Sequence, residues 1–256
     1  MDLQLTDRVY VVTGGARGLG RATADALVAE GARVVISGRS QESLDEATAA
    51  LDEAAGRHAA VSVVADTADR DAPAQLLAAA QDTWGRIDGA LISVGGPPKG
   101  PVTGIDDDQW TAAFGSVFLG AVRLCREIGP ALPPGGSLAL VLSSSVRAPL
   151  ADMAISNGLR PGLAMVAKTL AEELGPRGIR VNGLMPGRIG TERVAELDAA
   201  GGDPEAAREA AIKTIPLRRY GEPEEFGRTA AFLLSPAASF INGAMVPVDG
   251  GMLRAL

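Results

Sequence analysis

Gly14, Gly18 and Gly20 stand at the end of a β-branched run, in Thr13-Gly14-Gly15-Ala16-Arg17-Gly18-Leu19-Gly20. The run Val9 to Thr13 reads as a strand and the stretch Gly18 to Glu30 as a helix. At such a junction each glycine has its own task. Gly14 lets the chain turn sharply out of the strand, Gly18 leaves room for a phosphate beside the backbone, and Gly20 lets the helix lie close to the sheet. The helix start, at Gly18, Leu19 and Gly20, presents free N–H groups and the positive end of its dipole to an anion. The turn therefore reads as a cradle for a pyrophosphate. Its place between strand and helix gives it that meaning, since a glycine trio elsewhere carries little.

The second strand ends Val35-Ile36-Ser37-Gly38-Arg39-Ser40. A site for NAD places Asp or Glu there, to hold the ribose 2′-hydroxyl. This chain has Arg39 instead, and Arg17 in the glycine turn. Two guanidinium groups suit a 2′-phosphate, so the expected cofactor is NADP, with NAD second. The alternative is a pair of solvated surface arginines. Asp66-Thr67 follows the third strand. It either hydrogen-bonds the adenine edge or caps the next helix.

These residues need a scaffold, and the rest of the chain supplies its pattern. Strands are expected at Val9–Thr13, Ala32–Ser37, Ala60–Ala65, Ile87–Val94, Ser137–Ser143, Ile179–Met185 and Ala244–Val248. Between them fall expected helices at Gly18–Glu30, Gln41–Ala55, Ala72–Trp84, Asp107–Ala131, Met153–Leu174 and Pro223–Leu234. Strands alternating with helices call for an α/β fold: a single Rossmann-type domain over residues 1–256, with a doubly wound, seven-stranded parallel sheet. The strands are apolar at consecutive positions, as expected when helices cover both sheet faces. Gly95 to Gly104 reads as a loop. Leu197 to Ile215, with Gly201, Gly202 and Pro204, reads as a small mobile insertion, part of a substrate loop over about 190–215.

Composition narrows the function. The chain has 256 residues, 46% hydrophobic and 21% charged, enough to bury a full core. One cysteine, Cys125, rules out an internal disulfide and a Cys-based metal cluster, and one histidine, His58, rules out a multi-His site. No metal site is expected. Cys125 reads as a small core residue and His58 as surface or partly buried structure. A formal net charge of −7 repels phosphate backbones, so nucleic acid is not an expected partner. The chain shows neither a signal-peptide pattern nor an apolar run long enough to span a membrane. A soluble, cytoplasmic protein is the expectation.

Several segments together resemble the short-chain dehydrogenase/reductases. Thr13 to Gly20 is similar to that family's TGxxxGxG turn. Gly178-Ile179-Arg180-Val181-Asn182 and Pro186-Gly187-Arg188-Ile189-Gly190-Thr191 resemble its "GIRVN…PGxxxT" stretch. Ile215-Pro216-Leu217 with Gly221-Glu222-Pro223-Glu224-Glu225 resembles "IPLxRxGxPEE", and Val248-Asp249-Gly250-Gly251 resembles "VDGG". The resemblance spans the chain and is close to the bacterial 3-oxoacyl carrier-protein reductases. It implies NAD(P)-dependent interconversion of carbonyl and alcohol, a small-molecule substrate, and a homo-oligomer, tetramer or dimer. It further implies that Thr191 contacts the nicotinamide amide, that Pro186 and Gly187 line the ring, and that Ile189 offers its N–H to the amide. Gly95 and Gly96 match the end of the family's "NNAG" loop. Thr191 can also cap the helix that Glu192 begins.

The family's catalytic Asn, Ser, Tyr and Lys are only partly matched. Anchoring on Leu170-Ala171-Glu172-Glu173-Leu174 puts Ser156 at the Tyr position and Arg160 at the Lys position. Val117 falls at the Asn position. Ser145, among Ser143, Ser144 and Ser145, best matches the catalytic Ser. A phenol is a tunable acid, whereas a serine hydroxyl is a far weaker one. Arg160 keeps a positive charge to hold ribose hydroxyls but passes protons poorly. Neither Tyr10 nor Tyr220 sits where a replacement is needed. Lys99, if desolvated in its loop, can serve as proton donor, and Lys99 or Arg147 can bind an anionic substrate. Each is otherwise a solvated loop charge. Two functions follow: an NADP-dependent oxidoreductase with a rebuilt proton relay, or an inert dinucleotide-binding sensor or partner protein.

Overall fold

The sheet is built from β1 (Val9–Thr13), β2 (Arg33–Gly38), β3 (Ala60–Val64), β4 (Gly89–Ile92), β5 (Ser137–Val141), β6 (Arg180–Pro186) and β7 (Met245–Val248). Its order is β3-β2-β1-β4-β5-β6-β7, and every neighbouring pair is parallel. A computed structural model describes residues 1–199 and 202–255, so Gly201 of the expected insertion lies outside the described residues. The helices are α1 (Gly18–Ala29), α2 (Gln41–Ala55), α3 (Ala72–Trp84), α4 (Asp107–Ala113), α5 (Gly120–Ala131), α6 (Ala154–Leu174), α7 (Glu192–Ala199), α8 (Pro204–Thr214) and α9 (Pro223–Leu234). The α/β, seven-stranded parallel architecture is the one the alternation demanded.

Strands β1, β4 and β5 are buried along their whole length, which is why they carry no polar alternation. Two apolar layers form, one on each face. Val11, Ile92, Leu124, Leu140 and Leu163 belong to one; Val12, Leu27, Ile36, Leu91 and Phe226 belong to the other. On the second face α1 and α9 meet so closely that a Cβ at Gly227 would lie 2.2 Å from the Ala22 carbonyl oxygen. The Gly-Ile-Arg-Val-Asn stretch has a structural meaning here. Buried Arg180 donates to the carbonyls of Leu233 at 2.8 Å and Ser235 at 2.9 Å, closing the C-terminus of α9.

Two expectations are corrected. The single helix Asp107–Ala131 is two helices, α4 and α5, joined by a π-helical turn at Phe114–Leu119. The insertion from Leu197 is not a plain mobile loop: α7 and α8 occupy most of it. Asp203 caps α8 by accepting from Ala206 N at 3.0 Å, and Pro204 occupies its first position.

Candidate functional site

Strand order reverses between β1 and β4, and the loops beyond their C-terminal ends frame a cleft of about 490 Å³. Such a switch point is where doubly wound sheets bind ligands. Gly14, Arg17, Arg39, Asp66, Thr67 and Gly95 all line it. Thr13 ties the two sides of its floor together. Its hydroxyl donates to Ser93 O and accepts from Ser93 N, both at 2.8 Å.

The glycine turn has the geometry of a phosphate cradle. Gly18 has φ +56°, in the left-handed region, and α1 begins there. A Cβ on Gly20 would stand 2.2 Å from the Gly14 carbonyl oxygen, so only glycine permits this approach of helix to turn. Leu19 points its half-buried side chain at the core while its backbone lies in the first turn of α1. The first-turn N–H groups have no intrahelical acceptor and face the cleft end of the sheet. The residues present thus fit a bound pyrophosphate.

On the rim, Arg39 is exposed, and Arg17 pairs with Glu192 at 3.3 Å. Asp66 does not cap α3, whose N-cap is Asp71; it accepts from Ala68 N at 2.9 Å in a preceding turn. Thr67 donates to Ser116 O at 3.3 Å, docking the β3 exit onto the π-turn.

The β6 exit carries the next group of expected residues. Pro186 ends β6, and Gly187 N donates to Val248 O at 3.0 Å, with no space for a Cβ against Asp249. Ile189 is buried and bridges to Gly221 through the Arg188 carbonyl and the Gly190 N–H, leaving its own N–H outside that bridge. A Cβ on Gly18 would come 3.7 Å from the Thr191 methyl, so Thr191 closes over the phosphate turn. Its hydroxyl also accepts from Val194 N at 3.4 Å, the capping arrangement the sequence offered as an alternative.

The serines converge. Ser143 Oγ accepts from Ser145 N at 3.1 Å and shapes a short 3-10 turn. That turn places Ser145 Oγ 3.1 Å from Ser156 Oγ, near the start of α6, and 3.3 Å from the Ser156 carbonyl, to which it donates. Both hydroxyls are buried. Val117, in the π-turn, is buried and lines the cleft as an apolar residue.

Two expected residues have surroundings the sequence did not announce. Arg160 is buried and donates to Val141 O at 2.7 Å and, at 3.4 Å, to Gly95 O. Its guanidinium is turned toward the exits of β5 and β4. Burial pulls it down to about 10. Lys99, in the loop after β4, is exposed. Arg147 is likewise exposed. The tyrosines are unavailable as acids. Tyr10 donates to Leu234 O at 3.4 Å and is pushed up by burial. Tyr220 donates to buried Asp198 at 2.9 Å and is pushed up by burial and by that carboxylate. Cys125 is core, its thiol pushed up to about 12 by burial, and His58 is exposed beside Asp52. No cluster of three metal-ligating side chains occurs among the described residues.

The family model described as "Enoyl-(Acyl carrier protein) reductase" matches residues 14–253. The chain belongs to the short-chain dehydrogenase/reductase family. It is 34% identical to levodione reductase of Leifsonia aquatica, over 98% of this chain and 96% of that one. It is 30% identical to a 3-oxoacyl-[acyl-carrier-protein] reductase of Thermotoga maritima, over 98% of this chain and all of the relative. The solved structure of L-sorbose reductase from Gluconobacter frateurii, complexed with NADPH and L-sorbose, superposes with a TM-score of 0.94 at 29% identity, covering 100% of both chains. As a family member the chain is an NAD(P)-dependent oxidoreductase acting on a small molecule.

Sequence reasoning missed the ties that bring α7 over the cleft. Arg193 donates to Pro97 O at 2.8 Å. Buried Asp198 takes Arg188 at 2.8 Å as well as Tyr220, and the Arg208 guanidinium lies 4.3 Å above the Tyr220 ring. Both ends of the insertion and both of its helices meet at that cluster. No local pattern announces it, because its members lie in four separate segments.

Proposed function

We propose that this protein is an NADP-dependent oxidoreductase that interconverts a carbonyl and an alcohol through a serine relay. The observation that carries the reading is the buried Ser145–Ser156 hydroxyl pair, 3.1 Å apart, at the C-terminal mouth of the sheet. The nicotinamide, when bound, supplies or accepts the hydride. Gly14, Gly18, Leu19 and Gly20 hold the pyrophosphate, and Arg17 and Arg39 favour a 2′-phosphate. Pro186, Gly187, Ile189 and Thr191 flank the nicotinamide end; Asp66, Thr67 and Gly95 border the rest. In the reductive direction Ser156 gives its hydroxyl proton to the substrate oxygen, Ser145 turns from the Ser156 carbonyl and passes its own proton to Ser156, and water restores the proton of Ser145.

A second reading, an inert NAD(P)-binding sensor or partner protein, draws on one observation: the buried cation of the site, Arg160, is engaged by backbone carbonyls. Purified protein incubated with NADPH and a panel of ketones and aldehydes separates the two. Turnover of any substrate, with NADPH bound more tightly than NADH, is the expected result. Tight binding without turnover would select the inert reading, and a preference for NADH would remove NADP.

We also propose that the protein is cytoplasmic; fractionation that finds it in a membrane or exported fraction would refute this. No helix among the described residues is long and apolar enough to cross a membrane. The protein is further proposed to be a homo-oligomer, dimer or tetramer. Phe114 and Leu119 of the π-turn and Met165 of α6 are exposed large apolar side chains, which a second copy would cover. Light scattering at micromolar concentration is expected to give at least twice the chain mass; a monomer would exclude the oligomer.

A further inference from the structure

We infer that Glu192 is a specificity-determining residue, which competes with the dinucleotide 2′-phosphate for Arg17. The inference rests on the cofactor reading above and extends it to a residue outside the phosphate turn. Arg17 lines the cleft and precedes α1 in an extended conformation. Its Nη1 lies 3.3 Å from Glu192 Oε2, a partner 175 residues away on the first turn of α7. Arg39, the other arginine on the rim, makes no ion pair among the described residues. One of the two cations expected to meet a 2′-phosphate is therefore already matched to a carboxylate.

Both partners are largely exposed, Arg17 at 65% and Glu192 at 72%, so the pair is screened and easily exchanged. A 2′-phosphate offers Arg17 more charge and three acceptor oxygens, and it wins that exchange. Binding then leaves Glu192 without its cation and close to a new anion. A dinucleotide without the phosphate leaves the pair intact and bears no such penalty. The other ties of α7 lie elsewhere, at Arg193 to Pro97 O and at Asp198 to Arg188 and Tyr220. The exchange therefore needs no displacement of the helix. Glu192 lowers the affinity for phosphorylated dinucleotides selectively.

The test measures dissociation constants of NADPH and NADH for wild type, Glu192→Gln, Arg17→Gln and the double variant. Glu192→Gln is expected to tighten NADPH by roughly two- to fivefold, the scale of one exposed ion pair, with a much smaller change for NADH. The gain should shrink in 0.5 M NaCl, where charges at this distance are screened. In the Arg17→Gln background the same substitution should lose its selectivity. Equal tightening of both cofactors, or unchanged NADPH affinity, would overturn the role of Glu192 while leaving the cofactor reading in place. A wild type that does not prefer NADPH would overturn both, and that failure is visible before any substitution is made.

Discussion

Ser156→Ala is expected to lower carbonyl turnover by about 10²–10³-fold, the scale of losing one preorganised donor at a developing oxyanion. NADPH affinity should stay within about twofold, because the proposed relay puts Ser156 at the reacting oxygen rather than along the dinucleotide. Ser145→Ala should cost less, since Ser145 acts through Ser156: their hydroxyls are 3.1 Å apart, and Ser145 Oγ lies 3.3 Å from the Ser156 carbonyl. Alanine at either position removes one small hydroxyl and leaves the fold intact. The pH profile adds an independent reading. Serine hydroxyls do not titrate in the working range. Arg160, pulled down by burial, still holds its proton until about 10, and Tyr10 and Tyr220 are both pushed up. Turnover in wild type should therefore be flat between about pH 6 and 9. A donor that titrates within that range would instead give a rate that falls as it deprotonates. Stopped-flow single-turnover rates across that range decide it: a falling limb, or a Ser156→Ala enzyme of near wild-type rate, would remove the serine relay.

The parts of this molecule that were legible in the sequence are those with a local cause. The span of α2 follows from Ser40, which accepts from Ser43 N at its start, and from Gly56 in the left-handed region at its end. Gly85 ends α3 in the same way, and Pro223 opens α9. The glycine turn was legible because steric exclusion by backbone demands glycine there, whatever the rest of the chain does. The π-turn at Phe114–Leu119 was not, since it keeps helical apolar spacing and merely shifts the hydrogen bonds by one residue. Helix α8 carried a readable signal, Asp203 followed by Pro204, but Gly201 and Gly202 just before it favour a loop reading. Site residues divide along the same line. The convergence of Ser145 with Ser156 follows from a strand end meeting a helix start. The direction of the Arg160 side chain depends on which carbonyls the β4 and β5 exits leave unpaired, and no spacing rule encodes that.

Arg160→Met tests this last point and carries the largest expected effect on stability. Methionine preserves much of the aliphatic volume and removes a desolvated charge, which is favourable. It also leaves the Val141 carbonyl, bonded at 2.7 Å, and the Gly95 carbonyl, at 3.4 Å, without their donor. Hydrogen bonds from a charged group contribute about 1.5–3 kcal/mol each, and the longer one less. Relief of the buried charge offsets part of that sum, so the net loss should be about 2–3 kcal/mol. In a chain of this size that lowers Tm by about 5–10 °C, measured without nucleotide. Lysine at the same position should fall between the two, since a single ammonium reaches the carbonyls with less suitable geometry than a planar fork. NADPH binding should weaken only secondarily, through loss of order in the loop that brings Gly95 to the cleft. If Arg160 instead served to hold the ribose, Arg160→Met would leave the nucleotide-free Tm unchanged and weaken NADPH binding directly. Calorimetry of the free protein, paired with a nucleotide titration, therefore separates a guanidinium that joins two strand exits from one that reaches for a ligand.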